Sequence, residues 1–132
     1  MERIRLHHIG IVMPSMEKAE SFMEKFGLET DYMEYVESYK ADCLFTKYKE
    51  NESPLEFVIP REGVLTGYNN GKGGIHHIAF EVDDVEKVCA EYESKGLQML
   101  EKRAVDGAGG IIVNFLRPRF GEGILVEFVE QK

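Results

Sequence analysis

Two histidine doublets stand out among the residues able to do chemistry. They are His7-His8 and His76-His77, each followed by an isoleucine, at a separation of 77 − 8 = 69 residues. Two glutamates, Glu56 and Glu127, stand alone inside short apolar runs. An ionised carboxylate is costly to take out of water unless it is paired, so a glutamate between Leu55 and Phe57, or between Val126 and Phe128, calls for a partner. Two such glutamates, each closing a segment that a histidine doublet opens, invite a shared cation. Two imidazoles and two carboxylates form a mixed nitrogen and oxygen set suited to a divalent first-row metal: Ni, Co, Mn, Fe or Zn. With octahedral preference, such an ion keeps two positions for water or substrate oxygens.

The elements that would position these groups come in duplicate. Ser15 and Asp84 keep the same 69-residue offset, as do Gly27-Leu28 and Gly96-Leu97. Internal repeats of this kind mark a duplicated unit. In the first copy, a strand over Leu6–Met13 leads to an N-cap at Ser15. Met16, Ala19, Phe22, Met23 and Phe26 then recur at helical spacing, and Gly27 is the stop. In the second, Ile75–Val82 is the strand and Asp84 the cap, Val85, Val88, Cys89 and Tyr92 form the stripe, and Gly96 is the stop. Three strand-like runs follow each helix: Asp31–Val36, Ala41–Tyr48 and Leu55–Ile59, then Gln98–Leu100, Ile111–Leu116 and Ile124–Val129. Each copy reads β-α-β-β-β. A Gly- and Asn-rich loop, Pro60–Gly74, joins them.

Alternation along a strand decides which histidine of each doublet faces the cation. Ile9, Ile11 and Met13 share a face with His7 and suit contact with the helix, whereas His8, Gly10 and Val12 share the other. In the second copy Ile78, Phe80 and Val82 face the helix, and His77, Ala79 and Glu81 face away. Glu56 and Val58 oppose Leu55, Phe57 and Ile59, and Glu127 opposes Ile124, Val126 and Phe128. The expected ligands are therefore His8, Glu56, His77 and Glu127. His7 and His76 are the alternatives that parity disfavours, and Glu81 is a spare on the cation side.

The whole chain bounds the classes. With 132 residues, 43% of them hydrophobic, it is the size of one domain, expected to span 1–132 as two modules, about 4–60 and 74–131, sharing one curved sheet. A net charge of −8 argues against a nucleic-acid footprint. No apolar run approaches the ~20 residues of a membrane span. The opening residues Met1-Glu2-Arg3-Ile4-Arg5 carry no signal-peptide core, and Cys43 and Cys89 read as buried free thiols, so a cytoplasmic protein is expected.

With these motifs in place, the chain resembles the vicinal oxygen chelate superfamily of glyoxalase I, methylmalonyl-CoA epimerases, extradiol dioxygenases and fosfomycin or bleomycin resistance proteins. The resemblance implies an α+β fold of tandem βαβββ modules forming a half-closed cup, with His8, Glu56, His77 and Glu127 at the four ligand positions. Within the superfamily the chain is most similar to the methylmalonyl-CoA epimerases. The stretches that carry this likeness are Gly73–Val85, the glycine-rich Gly107–Gly110, Asn114-Phe115-Leu116-Arg117-Pro118 and Gly121–Glu127. It departs from them at Arg117-Pro118-Arg119 and at Val36-Glu37-Ser38-Tyr39-Lys40.

The resemblance implies metal-dependent epimerisation of a 2-methylmalonyl-CoA-type thioester through α-proton abstraction and a stabilised enolate. Glu127 then doubles as ligand and base, and Glu37 is the nearest carboxylate for the second acid/base position. Lys102, Arg103, Arg117 and Arg119 around the Gly107–Gly110 loop are candidate phosphate partners, or equally solubilising charges beside a turn. The alternative is glyoxalase I, with the same metal set and a glutathione hemithioacetal as substrate. A dioxygenase is disfavoured by the fourth protein ligand, and a ligand-sequestering resistance protein by the intact quartet. A homodimer is expected by family analogy.

Overall fold

The computed structural model describes residues 2–132. The order of elements is the duplicated one: β1 (Arg5–Val12), α1 (Met16–Phe26), β2 (Thr30–Val36), β3 (Ala41–Thr46) and β4 (Leu55–Pro60), then β5 (Gly74–Glu81), α2 (Val85–Ser94), β6 (Val105–Asp106), β7 (Ile111–Leu116) and β8 (Val126–Gln131). The strands run β2-β3-β4-β1-β5-β8-β7-β6 in one eight-stranded sheet. The first strand of each copy pairs in parallel with the last strand of that copy, β1 with β4 and β5 with β8; the remaining pairs within each copy are antiparallel. By internal packing the chain divides into two compact units, Ile9–His76 and His77–Lys132 with the residues up to His8. The divisions fall inside β1 and β5, at the histidine doublets.

Within the first unit, Ile11, Ala19, Met23, Leu44, Phe57 and Ile59 are buried together, with Ile9, Met13, Met16, Phe22, Leu28 and Leu55 packed around them. This is the face that alternation and helical spacing assign to the α1 contact. Phe26 departs from the expected stripe: it is 63% exposed at the helix end, its ring centroid 4.7 Å from that of Phe22. Within the second unit, Val82, Val85, Val88, Cys89, Met99, Leu116 and Phe128 form the equivalent core. Burying one such aromatic or aliphatic side chain stabilises by roughly 1.5–3 kcal/mol.

The helix boundaries follow from local chemistry. Ser15 Oγ accepts from Lys18 N at 3.2 Å, and Asp84 Oδ1 accepts from Lys87 N at 3.1 Å, so both caps predicted at the 69-residue offset form. Gly27 closes α1 in the left-handed conformation, φ 66°. The second helix ends one residue sooner than Gly96 predicts, with Lys95 at the cap; Gly96 is still the left-handed residue, φ 83°. Gly73, φ 74°, lies so close to β1 that a Cβ would collide with the Val12 carbonyl.

Two strand expectations are corrected. Gln98–Leu100 is not a strand: it makes a single bridge, Met99 to Leu116, and the two-residue β6 lies further on at Val105–Asp106. Gln98 O accepts from Arg117 N and Leu100 N donates to Phe115 O, but the pairing stops at Glu101, whose N–H and carbonyl are taken by the Asn114 side chain, Oδ1 accepting and Nδ2 donating at 3.0 Å each. The last strand starts two residues later than Ile124, because Ile124 N donates to Gly121 O and closes a turn. Both cysteines are free and buried, as expected. Burial pushes the Cys89 thiol up, which disfavours the thiolate.

Candidate metal centre

Strand register places small residues opposite both lone glutamates. Gly10 on β1 is the partner of Glu56 on β4, and Ala79 on β5 is the partner of Glu127 on β8. Paired residues of parallel strands present their side chains on one face, so the absence of bulk at Gly10 and Ala79 leaves room for each carboxylate. His77 lies two residues before Ala79 on that same face.

The imidazoles and a carboxylate converge. His8 Nε2 lies 3.2 Å from His77 Nε2 and 3.0 Å from Glu127 Oε1, and His77 Nε2 lies 3.2 Å from Glu127 Oε1. This triangle has the size that coordination requires. Ligand atoms about 2.1 Å from a metal are about 3.0 Å apart at right angles and about 3.4 Å apart in a tetrahedron. The observed edges fall between the two values. Glu56, the fourth expected ligand, lies on β4 in the other unit. Every one of the four residues is buried, none more than 3% exposed. The donor set and its spacing thus fit a divalent cation.

The electrostatics agree. Burial alone would raise Glu127, but the imidazoles of His77 and His8 outweigh it and hold the carboxyl down to about 2. Glu127 is therefore an anion at neutral pH, the form a metal ligand needs. A residue that sequence reasoning passed over lies beside the other glutamate. Tyr32 stacks on Phe45, whose register partner is Glu56, and its phenol is pushed up to about 12 by burial, then by the Glu56 charge. It stays a hydrogen-bond donor across the physiological range. Nothing in its sequence context distinguishes it from the other five tyrosines.

The other candidates are placed elsewhere. Glu81 accepts from Arg5 Nε at 2.8 Å, so the spare carboxylate is held by a guanidinium. His76 is half-buried with its ring against Tyr68. His7 is buried but is not in the helix-facing cluster that its parity predicts: its Nδ1 lies 2.8 Å from His8 Nδ1, and its Nε2 lies 2.9 Å from the Gln131 amide. Gln131 was legible as an alternate residue on the Glu127 face of β8, but no motif drew attention to it. Glu37 sits in the exposed turn after β2, 78% exposed, with Lys40 Nζ 3.6 Å away. Lys102 and Arg117 border a surface hollow of about 490 Å³ together with Gln98 and Glu101. Arg103 approaches Glu86 at 3.9 Å, and Arg119 lies over the Phe120 ring.

Comparison with known proteins is consistent with this geometry. Residues 7–115 match the model of the Glyoxalase/Bleomycin resistance protein/Dioxygenase superfamily. The chain belongs to this superfamily. It is 29% identical over 126 residues to the mouse mitochondrial methylmalonyl-CoA epimerase, covering 93% of this chain and 71% of that protein. It is 32% identical to the uncharacterised Bacillus subtilis protein YqjC, covering 97% and 93% of the two chains. A variant of the Streptomyces coelicolor methylmalonyl-CoA epimerase, solved with 2-nitronate-propionyl-CoA, superimposes with a TM-score of 0.88 at 27% identity, covering 98% of this chain and 99% of that one. The α+β architecture of duplicated βαβββ modules expected for the superfamily is the one observed.

Proposed function

We propose that this superfamily member is a metal-dependent epimerase of a 2-methylmalonyl-CoA-type thioester, with His8, Glu56, His77 and Glu127 as the ligands of a divalent ion. One observation carries the reading: two buried imidazoles and a buried carboxylate converge at coordination distance in a chain whose relatives along nearly its full length include methylmalonyl-CoA epimerases. When bound, the cation would polarise the thioester and carboxylate oxygens and so acidify the α-carbon. Co, Ni, Mn, Zn and Fe all suit the mixed donor set.

Within that reading the chain's own residues divide the work. Both imidazoles face Glu127 Oε1, and the other carboxylate oxygen is proposed to take the α-proton. The electron pair of the broken C–H bond passes to the thioester oxygen. Inversion requires a second group to return a proton to the opposite face of the planar intermediate. Glu37 is proposed for that role, from a turn open to an incoming substrate. The phosphates of CoA are proposed to meet the exposed Lys102, Arg103, Arg117 and Arg119. The site would sit in a single domain of two modules, acting as a homodimer in the cytoplasm; no helix among the described residues is long and apolar enough to cross a membrane. The second reading, glyoxalase I chemistry on a glutathione hemithioacetal, uses the same donor set, but the relatives favour the CoA thioester.

The test is incubation with methylmalonyl-CoA in deuterated water. Both epimers should form and carry deuterium at the α-carbon. No exchange, alongside turnover of the methylglyoxal–glutathione adduct, would establish the second reading instead. In Glu37→Gln, exchange into one epimer should persist while interconversion falls about a hundredfold or more. Full interconversion in that variant would remove Glu37 from the mechanism. Light scattering should give twice the 15.1 kDa chain mass, and a monomer would refute the dimer.

A further inference from the structure

The first histidine doublet is wired differently from its duplicate. His8 turns Nε2 towards His77 and Glu127 and Nδ1 towards His7 Nδ1, 2.8 Å away. His7 Nε2 in turn lies 2.9 Å from the side-chain amide of Gln131 at the end of β8. Both rings are buried, His8 completely and His7 to 5% exposure. A neutral imidazole carries one N–H and one lone pair, so a hydrogen-bonded chain of two imidazoles has only two consistent directions. In one, His8 Nδ1–H donates to His7 Nδ1, His7 Nε2–H donates to Gln131 Oε1, and His8 Nε2 presents its lone pair to the donor cluster. In the other, the Gln131 amide nitrogen donates to His7 Nε2, His7 Nδ1–H donates to His8 Nδ1, and His8 Nε2 carries a proton that points at Glu127 Oε1. A half-turn of the amide, which exchanges its oxygen and nitrogen, accompanies the switch. Two protons shift and none is gained or lost.

We propose that His7 and Gln131 are positioning residues that set the tautomer of His8, and that turning the Gln131 amide couples the end of β8 to cation binding at His8 Nε2. The inference rests on the ligand reading above and adds residues that touch neither cation nor substrate. The duplicate places different groups at the equivalent positions. The position 131 − 69 = 62 is Glu62, on the loop beyond β4, with Lys40 Nζ 3.7 Å away, and His76 packs its ring against Tyr68. β8 extends to Gln131, whereas β4 ends at Pro60.

Gln131 is exposed at a strand end, so its substitution leaves the core intact. The variants are Gln131→Glu, a pure acceptor at neutral pH, and Gln131→Leu, which neither accepts nor donates. Two readouts separate the relay from the ligand reading. The first is nitrogen chemical shifts of His8 in metal-free protein. Gln131→Glu should move His8 fully to the Nδ1–H tautomer; unchanged shifts would overturn the relay whether or not a cation binds. The second is Zn²⁺ affinity by competition with a chromophoric chelator. Gln131→Leu should lose about tenfold or more, in the range for removing a partner of a ligand imidazole, while Gln131→Glu should bind at least as tightly as wild type. Equal losses in both variants, or none in Gln131→Leu, would overturn the relay. Failure of wild type itself to bind Zn²⁺, Co²⁺ or Ni²⁺ would instead refute the ligand reading.

Discussion

The two halves of this chain start from nearly the same sequence and do different things with it. Leu6-His7-His8-Ile9 and Ile75-His76-His77-Ile78 both deliver their second histidine to the donor cluster. Their first histidines part company: His7 is buried between His8 and Gln131, while His76 is half-buried against Tyr68. The difference originates at the far end of each half, where β8 runs on to Gln131 and β4 stops at a proline. A duplicated motif thus constrains the residue facing the shared centre. The flanking residue is released to whatever its own half supplies.

The sharpest way to break that comparison is to neutralise the two glutamates in turn. Glu127 is proposed as both ligand and base, Glu56 as ligand alone. Glu127→Gln should lower turnover by about a thousandfold or more even at saturating metal, within the range for losing a general base together with a ligand. Glu56→Gln should instead weaken cation binding, with turnover largely restored by added metal. Equal and unrecoverable losses in steady-state assays of both variants would show that the halves share the catalytic role.

The cores offer a second contrast. Phe57 and Phe128 are each essentially fully buried in their own unit. Truncation to alanine should cost about 3–5 kcal/mol at either position in denaturant unfolding. A much smaller loss at one would mark that unit as the more plastic. The donor cluster supplies the next effect. A ligand that binds the folded protein and not the unfolded chain stabilises it, so saturating the protein with Zn²⁺ should raise its stability. At a hundredfold excess over the dissociation constant the gain is about 2.7 kcal/mol, or roughly 10 °C in Tm for a chain of this size. Calorimetry with and without chelator checks this, and an unchanged Tm would count against the cation.

The smallest effect falls on the helix caps. Ser15→Ala and Asp84→Ala should each cost about 1 kcal/mol. Asp84→Ala should be the milder, because Glu130 Oε1 also accepts from Val85 N at 2.9 Å and gives the start of α2 a second acceptor. Equal losses would mean that the second acceptor contributes nothing.

Most of the candidate centre was legible in the residues themselves. Choosing His8 and His77 over their neighbours needed only the period-2 alternation of a strand and the apolar partners Ile9, Ile11, Ile78 and Phe80. Glu56 and Glu127 were visible because a lone carboxylate inside an apolar strand has few physical explanations. Local patterns also located both helix caps and both left-handed glycines, since those depend on hydrogen bonds within a few residues. Where the account failed, a distant group intervened. Gln98–Leu100 carries a strand-like pattern, yet its pairing ends at Glu101, where the Asn114 side chain takes the bonds that would have continued a ladder. Phe26 has helical spacing but falls at the last turn, beyond the packed surface of its unit.

What the sequence by itself determined is therefore periodic and local: the duplication, the two helices, the face of each strand, and which four side chains are candidates to meet. Tertiary structure alone decided the distances that make His8, His77 and Glu127 a coordination-sized cluster, the capture of Glu81 by Arg5, and the link from His8 through His7 to Gln131, whose last step joins residues 124 apart. Such contacts join strands far apart in the chain. No spacing rule reaches across that separation, because which strands become neighbours is set by how the whole sheet is assembled.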